Sequence, residues 1–179
     1  RRFAQLSHEY LIEQLQYSNE NIKTSGNKFR LSFNHPCKEL VWVAKTSDAD
    51  WYNYTDAAST AFNTNLHGNA IYPSGQNLVT KALLQLNGND RFAERDGSYF
   101  NYVQPYQHHT NIPSNKGINV YSFALKPEEH QPSGTLNMSR IDTAQLSMSA
   151  SAEGEAKIFA VNYNVLRIMS GMGGLAYSN

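Results

Sequence analysis

Hydrophobic and polar residues alternate along several stretches of the chain. Residues 29–33, 144–150 and 159–165 all show this alternation, which is typical of a strand with one buried face. After Val165 the apolar positions shift by one residue. A shift of one residue turns every later side chain to the opposite face, so the pattern predicts a β-bulge near residues 165–166.

Three further runs, residues 40–44, 78–86 and 118–125, carry apolar residues on both faces. They predict strands covered on both faces, within a sandwich or at a contact between subunits. Asn, Gly and Pro-rich turns separate the runs, as in Asn87-Gly88-Asn89-Asp90. About eight strands result, often about 8–12 residues apart, which favours an all-β sandwich or barrel.

One segment has helical rather than strand spacing. Aromatic and aliphatic residues recur at helical intervals between residues 96 and 109, which predicts one short helix. Asp96 is the expected N-cap, and Pro105 is expected to keep the helix short. Residues 47–77 are rich in Ser, Asn, Thr and Gly and predict a long loop.

The composition narrows the class of protein. Lys and Arg number 15, as do Asp and Glu, which argues against general nucleic-acid binding. Only 17% of residues are charged while 11 are Tyr, which favours a polar surface that becomes buried against a partner. The single Cys37 excludes an internal disulfide, and no apolar run is long enough to span a membrane. Because the sequence opens with Arg1-Arg2 rather than Met, we expect a processed product or part of a longer chain.

No catalytic or metal-binding constellation emerges from the sequence. His108 and His109 are adjacent and predict a capping or surface role, and Glu128-Glu129-His130 lies in a turn bracketed by prolines. A cupin metal site needs a His-x-His pair, which is absent, and Asn137 stands where its last His would be. A catalytic pair of Cys37 with His35 is less favoured than a buried thiol. We therefore expect no enzyme activity, no cofactor and no metal.

Two sequons mark possible glycosylation sites. Asn53-Tyr54-Thr55 lies in the long loop, where Asn53 is expected to be accessible. Asn137-Met138-Ser139 lies in a predicted strand and is the weaker candidate.

Two segments resemble a known family. Residues 121–142, YSFALKPEEHQPSGTLNMSRID, and residues 162–179, NYNVLRIMSGMGGLAYSN, closely resemble parts of the major capsid proteins of nucleocytoplasmic large DNA viruses. This family includes the capsid proteins of iridoviruses, phycodnaviruses and mimivirus-like viruses. The resemblance implies a double jelly roll, in which each chain carries two eight-stranded antiparallel barrels and three chains form a pseudo-hexagonal capsomer.

The chain is too short for two barrels, so the resemblance implies that residues 1–179 are the C-terminal jelly roll. Residues 1–9 would then link it to an N-terminal jelly roll. The implied function is that of a structural protein that tiles an icosahedral capsid. Its implied partners are two further copies in a homotrimer, neighbouring capsomers and minor capsid proteins, without direct nucleic-acid contact. The implied location is the virion, assembled in the host cytoplasm.

Charged residues near the first matching segment are the candidates for subunit contacts. We expect a contact loop and its neighbouring strand to supply ion pairs from Glu128, Glu129, His130, Arg140 and Asp142. The loop 47–77 is expected on the particle exterior. The alternative function is a carbohydrate-binding, lectin-like jelly roll that stacks sugars on Trp42, Trp51 and tyrosines.

Overall fold

The computed structural model describes residues 1–47, 52–57 and 75–178. Its helical elements are short, and strands make up most of its regular secondary structure. In chain order the elements are α1 Arg2–Gln5, β1 His8–Ile22, β2 Asn27–Arg30, β3 Pro36–Lys45, β4 Val79–Leu86, β5 Asn89–Asp90, β6 Arg95–Asp96, a π-helical turn Tyr99–Val103, α2 Gln104–His108, β7 Asn119–Ser122, β8 Leu136–Asn137, a 3-10 turn Met138–Arg140, β9 Ala144–Ala150, β10 Gly154–Met169 and β11 Met172–Leu175.

Two antiparallel sheets form the fold. The first sheet has the order β1-β10-β3-β7, with β11 beside β10 and β8 beside β3. The second has the order β2-β9-β4-β5, with β6 beside β4. Several paired strands come from distant parts of the sequence, as β1 with β10 and β2 with β9 do, and the chain crosses from one sheet to the other, as in a jelly roll built from two Greek keys. The predicted all-β jelly-roll class is confirmed.

The strand count differs from the predicted eight. The described residues contain eleven strands, because three short pairings were not foreseen. These are β5 and β6, each two residues long, and β11, which is four residues long.

The hydrophobic core lies between the two sheets. Leu40, Trp42 and Ile158 point into it from the first sheet, and Leu84 and Leu146 from the second, and each is at most 1% exposed. Their burial follows from strand alternation, because residues two apart share a face. Each such side chain contributes roughly 1.5–3 kcal/mol by leaving water.

The predicted bulge near residues 165–166 is wrong. β10 pairs with β1 without interruption from His8↔Ile168 to Ile22↔Gly154. The register shift lies instead between Val161 and Asn162, opposite β3. There the Asn162 side chain turns inward, and its amide nitrogen donates to Gln16 Oε1 at 2.6 Å and to the Asn34 carbonyl at 2.7 Å.

The prediction that three strands are covered on both faces is confirmed for two of them. All four residues of β7 are buried, and β3 is buried or half-buried throughout, as expected of strands covered on both faces. β4 is covered on one face only, since Thr80 and Lys81 are exposed. The strand expected across residues 136–142 ends after Asn137, because the Asn137 side chain accepts from Ser139 N–H and caps the 3-10 turn.

The predicted helix is present as the π-helical turn followed by α2. Asp96 does not cap it directly. It lies in β6, where its carboxylate accepts from the Ser98 N–H and hydroxyl, and these hydrogen bonds lower the pKa of Asp96. Pro105 lacks an N–H, and before it Gln104 N–H donates to the Tyr99 carbonyl five residues back. Phe100 anchors the helix, with its ring 5.0 Å from that of Trp42.

Most of the predicted loop 47–77 lies outside the described residues. None of the helices in the described ranges is both long and apolar enough to cross a lipid bilayer.

Candidate subunit-contact surface

Three residues from distant parts of the chain meet at the end of α2. His109 Nε2 lies 2.9 Å from Glu39 Oε2 on β3, and its Nδ1 lies 3.1 Å from Glu128 Oε1 in the loop between β7 and β8. Thr110 N–H and its hydroxyl also donate to Glu128 Oε1. We call Glu39, His109 and Glu128 the histidine clasp. It ties the predicted contact loop to the first sheet.

The contacts of the histidine clasp shift the pKa values of His109 and Glu128 toward their charged forms. The hydrogen bond to Glu39 raises the pKa of His109 above its ordinary value, although partial burial opposes this. The hydrogen bonds from Thr110 lower the pKa of Glu128. Both ring nitrogens face carboxylates, and only the imidazolium form can donate from both nitrogens at once. When His109 is protonated, the clasp places a positive charge between two carboxylates, and the raised pKa of His109 favours that form.

No local pattern in the sequence indicates the histidine clasp. His109 was interpreted as a capping or surface residue beside His108, and it lies 70 positions from Glu39. The β-bulge at Val161 and Asn162 is one reason why simple strand alternation does not reveal the cluster. It leaves Lys38 as an extra residue on β3, next to Glu39. Only the three-dimensional pairing brings these positions together.

A second charged contact lies beside the clasp. Lys38 is buried, and its ammonium forms an ion pair with Glu13 of β1 and lies 5.5 Å from the centre of the Tyr163 ring. A buried ammonium without a partner would be costly, so this pair fixes the arrangement of β1 against β3.

The five predicted contact residues fall into two groups. Glu128, Glu129 and His130 are exposed in one loop, where Glu129 also lies 3.5 Å from Lys126. Arg140 and Asp142 are exposed at and after the 3-10 turn. Among the described residues, no hydrogen bond or ion pair joins either of them to the 128–130 loop, and neither side chain forms an ion pair. The backbone of Asp142 is held in place, because its N–H donates to Asn87 Oδ1 and its carbonyl accepts from the Arg30 guanidinium.

The expected accessibility of Asn53 is wrong. Asn53 is 1% exposed. Its amide nitrogen donates to the Ala57 carbonyl, and its oxygen accepts from the Thr55 N–H and hydroxyl. Polar turns of this kind can bury an Asn because they satisfy its hydrogen bonds locally. Glycosylation at Asn53 stays a prediction and would require this turn to open.

The structure gives little support for metal binding, thiol catalysis or sugar binding at other positions. Within the described ranges, no group of three or more His, Cys, Asp or Glu side chains could hold a metal ion. Cys37 is buried, and burial raises the pKa of its thiol to about 12, so it stays protonated and poorly nucleophilic. Trp42 is fully buried against Phe100 and cannot stack on a sugar. Trp51 lies outside the described residues. The lectin alternative is therefore not supported.

Comparisons with known proteins agree with the geometry. The profile of the family described as large eukaryotic DNA virus major capsid protein matches residues 1–174. The major capsid protein of Pyramimonas orientalis virus is 48% identical over 202 residues, covering 100% of this chain and 45% of that protein. That of Paramecium bursaria Chlorella virus 1 is 41% identical, covering 99% of this chain and 50% of that protein.

Solved structures give the same result. A quasi-atomic model of the PBCV-1 virus capsid matches with a TM-score of 0.82 and 40% identity, covering 99% of this chain and 53% of that chain. The Faustovirus major capsid protein matches with a TM-score of 0.70 at 14% identity, which supports the fold alone. The chain spans about half the length of the curated relatives it matches. It belongs to the family of large eukaryotic DNA virus major capsid proteins.

Proposed function

We propose that this chain is one jelly-roll unit of a major capsid protein that builds the wall of a virion. The observation that carries the proposal is the match along 99% of the chain to the PBCV-1 capsid structure. A net charge of zero suits a subunit that packs against many copies of itself without accumulating repulsion.

In this proposal residues 1–179 are the C-terminal half of a double jelly roll, and residues 1–9 connect it to the preceding half. Three such polypeptides form a pseudo-hexagonal homotrimer, which contacts neighbouring capsomers and minor capsid proteins. Assembly takes place in the host cytoplasm, without direct binding of the genome by this unit. The half-length coverage of the relatives supports the two-unit arrangement.

The exposed charges are the proposed contacts between subunits. Arg140 and Asp142 are the stronger candidates, because their side chains are exposed and make no ion pair within the described residues. Glu129 and His130 are exposed in the neighbouring loop, whereas Glu128 also contributes to the histidine clasp. A charge paired at such a contact would fix register more than it adds affinity.

Assembly of the full-length capsid protein tests the proposal. We expect the purified protein to form homotrimers by native mass spectrometry and capsid-like particles by electron microscopy. A stable monomer under all assembly conditions would contradict it.

The contact residues are tested by comparing Arg140→Ala with Lys28→Ala, a change of an exposed cation on the second sheet. Arg140→Ala should weaken trimer or particle formation and leave the melting temperature of the folded unit unchanged. Equal assembly of both variants would remove Arg140 from the contact.

A further inference from the structure

The β-bulge in the first sheet turns two neighbouring charged residues to the same side. Lys38 is the extra residue on β3, opposite the register shift before Asn162. Cys37 and Leu40 on either side belong to the core, so Lys38 and Glu39 both point away from it. Regular alternation would turn one of the two inward. Bulges often re-aim side chains next to functional sites, and this one puts Glu39 on the side of the sheet where the histidine clasp forms.

The two carboxylates of the histidine clasp differ in their access to water. The side chain of Glu39 on β3 is 11% exposed, whereas that of Glu128 in its loop is 41% exposed. A neutral His109 keeps a hydrogen on one ring nitrogen and presents a lone pair to the other carboxylate. Leaving the buried Glu39 without a donor is the more costly choice, because Glu128 can turn into water. Loss of the proton should therefore break the contact with Glu128 and keep the one with Glu39.

The groups packed around His109 leave it as the titrating residue that faces both carboxylates. Glu39 and Glu128 raise the pKa of His109, and hydrogen bonds from Thr110 lower the pKa of Glu128. His108 faces a neutral carbonyl instead. The ion pairs nearby join β3 to β1 and the two ends of one loop turn: Lys38–Glu13 and Lys126–Glu129. Burial raises the pKa values of two further neighbours of Glu39, which stay protonated below pH 9: Cys37 and Tyr163.

We propose that the histidine clasp is a proton-operated latch for the loop of residues 125–133, closed when His109 is charged and loosened when it is neutral. Two hydrogen bonds from Thr110 to Glu128 remain after the proton leaves, so the loop loosens without detaching. The raised pKa of His109 places the change above pH 6.5, with the latch closed on the acid side. The latch is a property of the folded unit and does not rest on the proposed function, although the same loop carries proposed contact residues.

Hydrogen–deuterium exchange of the full-length capsid protein at pH 6 and pH 9 tests the latch. The intrinsic rate of each peptide at each pH is divided by its observed rate, which gives a protection that can be compared between the two conditions. Peptides covering Thr110 and residues 125–133 report on the latch. The turn at Asn87, whose N–H donates to the Thr143 carbonyl, is the internal control.

We expect the protection of the loop and of Thr110 to fall about two- to five-fold from pH 6 to pH 9, the modest change typical of an ion pair at an exposed residue. The turn at Asn87 should show no matching fall. His109→Gln cannot become charged, so its loop should be equally and weakly protected at both pH values. His108→Gln is the matched control and should keep the fall, because His108 faces a neutral carbonyl.

Equal loop protection at the two pH values, an equal fall at the control turn, or a fall that persists in His109→Gln would overturn the proposal. If His109→Gln does not fold, Glu128→Gln decides the matter, because it replaces an exposed carboxylate with a neutral amide and should also abolish the fall. A fall as large as that of the native protein in Glu128→Gln would overturn the proposal as well. Trimer and particle formation are scored separately, so the latch and the proposed function can each fail without the other.

Discussion

The substitution His109→Ala tests the histidine clasp. It removes the donor at 2.9 Å from Glu39 and leaves that buried carboxylate without a side-chain partner among the described residues. Hydrogen bonds to charged groups contribute about 1.5–3 kcal/mol, so we expect a loss of stability of that size at slightly acid pH. In a domain of this length that corresponds to a fall in melting temperature of about 3–12 °C. Glu128 adds little, because it is exposed.

The loss should depend on pH with a definite sign. The folded protein raises the pKa of His109 above its ordinary value of 6.5. A raised pKa means that the stabilisation is fully present below pH 6.5 and is lost as the pH rises through the folded-state pKa. The difference between the native protein and His109→Ala should therefore be largest near pH 6 and smaller near pH 9.

Thermal unfolding at the two pH values is the assay, with His108→Ala as the control. His108 is the neighbouring histidine, and its Nδ1 lies 3.1 Å from the neutral carbonyl oxygen of Leu125. Its removal should cost less than about 1.5 kcal/mol at either pH, because it breaks one bond to an uncharged group. Equal losses for His109→Ala at pH 6 and pH 9, or a loss no larger than that of the control, would refute the reasoning.

Further substitutions and one labelling reaction test the packing of buried residues. Phe100→Ala should destabilise the protein by about 3–5 kcal/mol in chemical unfolding, because its ring is fully buried between the sheets. Gly154→Ala should destabilise it by roughly 1–3 kcal/mol, because the new Cβ would clash with the backbone carbonyl of Lys45 in β3. Gly174→Ala is the control: its new Cβ would meet nothing within 4 Å, so this variant should melt nearly as the native protein does. Cys37 should not react with maleimide until the protein is unfolded, as followed by intact mass, because it is buried and its pKa is about 12.

Strand patterns predicted the fold class well but the packing of β10 less well. The alternation in β9 is clean, and the structure buries Ala144, Leu146 and Met148 as that pattern indicates. In β10 both faces are apolar, so alternation alone does not show that Ile158 faces the core and Phe159 faces outward. The distinction depends on which sheet covers which side, and that is a property of the whole fold.

The candidate site was only partly accessible to sequence reasoning. The contact loop with Glu128 was located correctly between two strands, but its tie to His109 depends on how α2 packs beside β7. Asn53 was expected on the surface because its neighbours are polar. Its burial arises from hydrogen bonds with Thr55 and Ala57, which a composition argument does not include.

The central claim, that this chain is a jelly-roll unit of a capsid wall, is tested most directly by electron cryomicroscopy of particles formed by the full-length protein. We predict that each capsomer contains barrels in which a sheet ordered β1-β10-β3-β7 faces one ordered β2-β9-β4-β5, with the side chains of residues 1–179 fitting the density. Particles whose shell lacks density for this sequence would contradict the account.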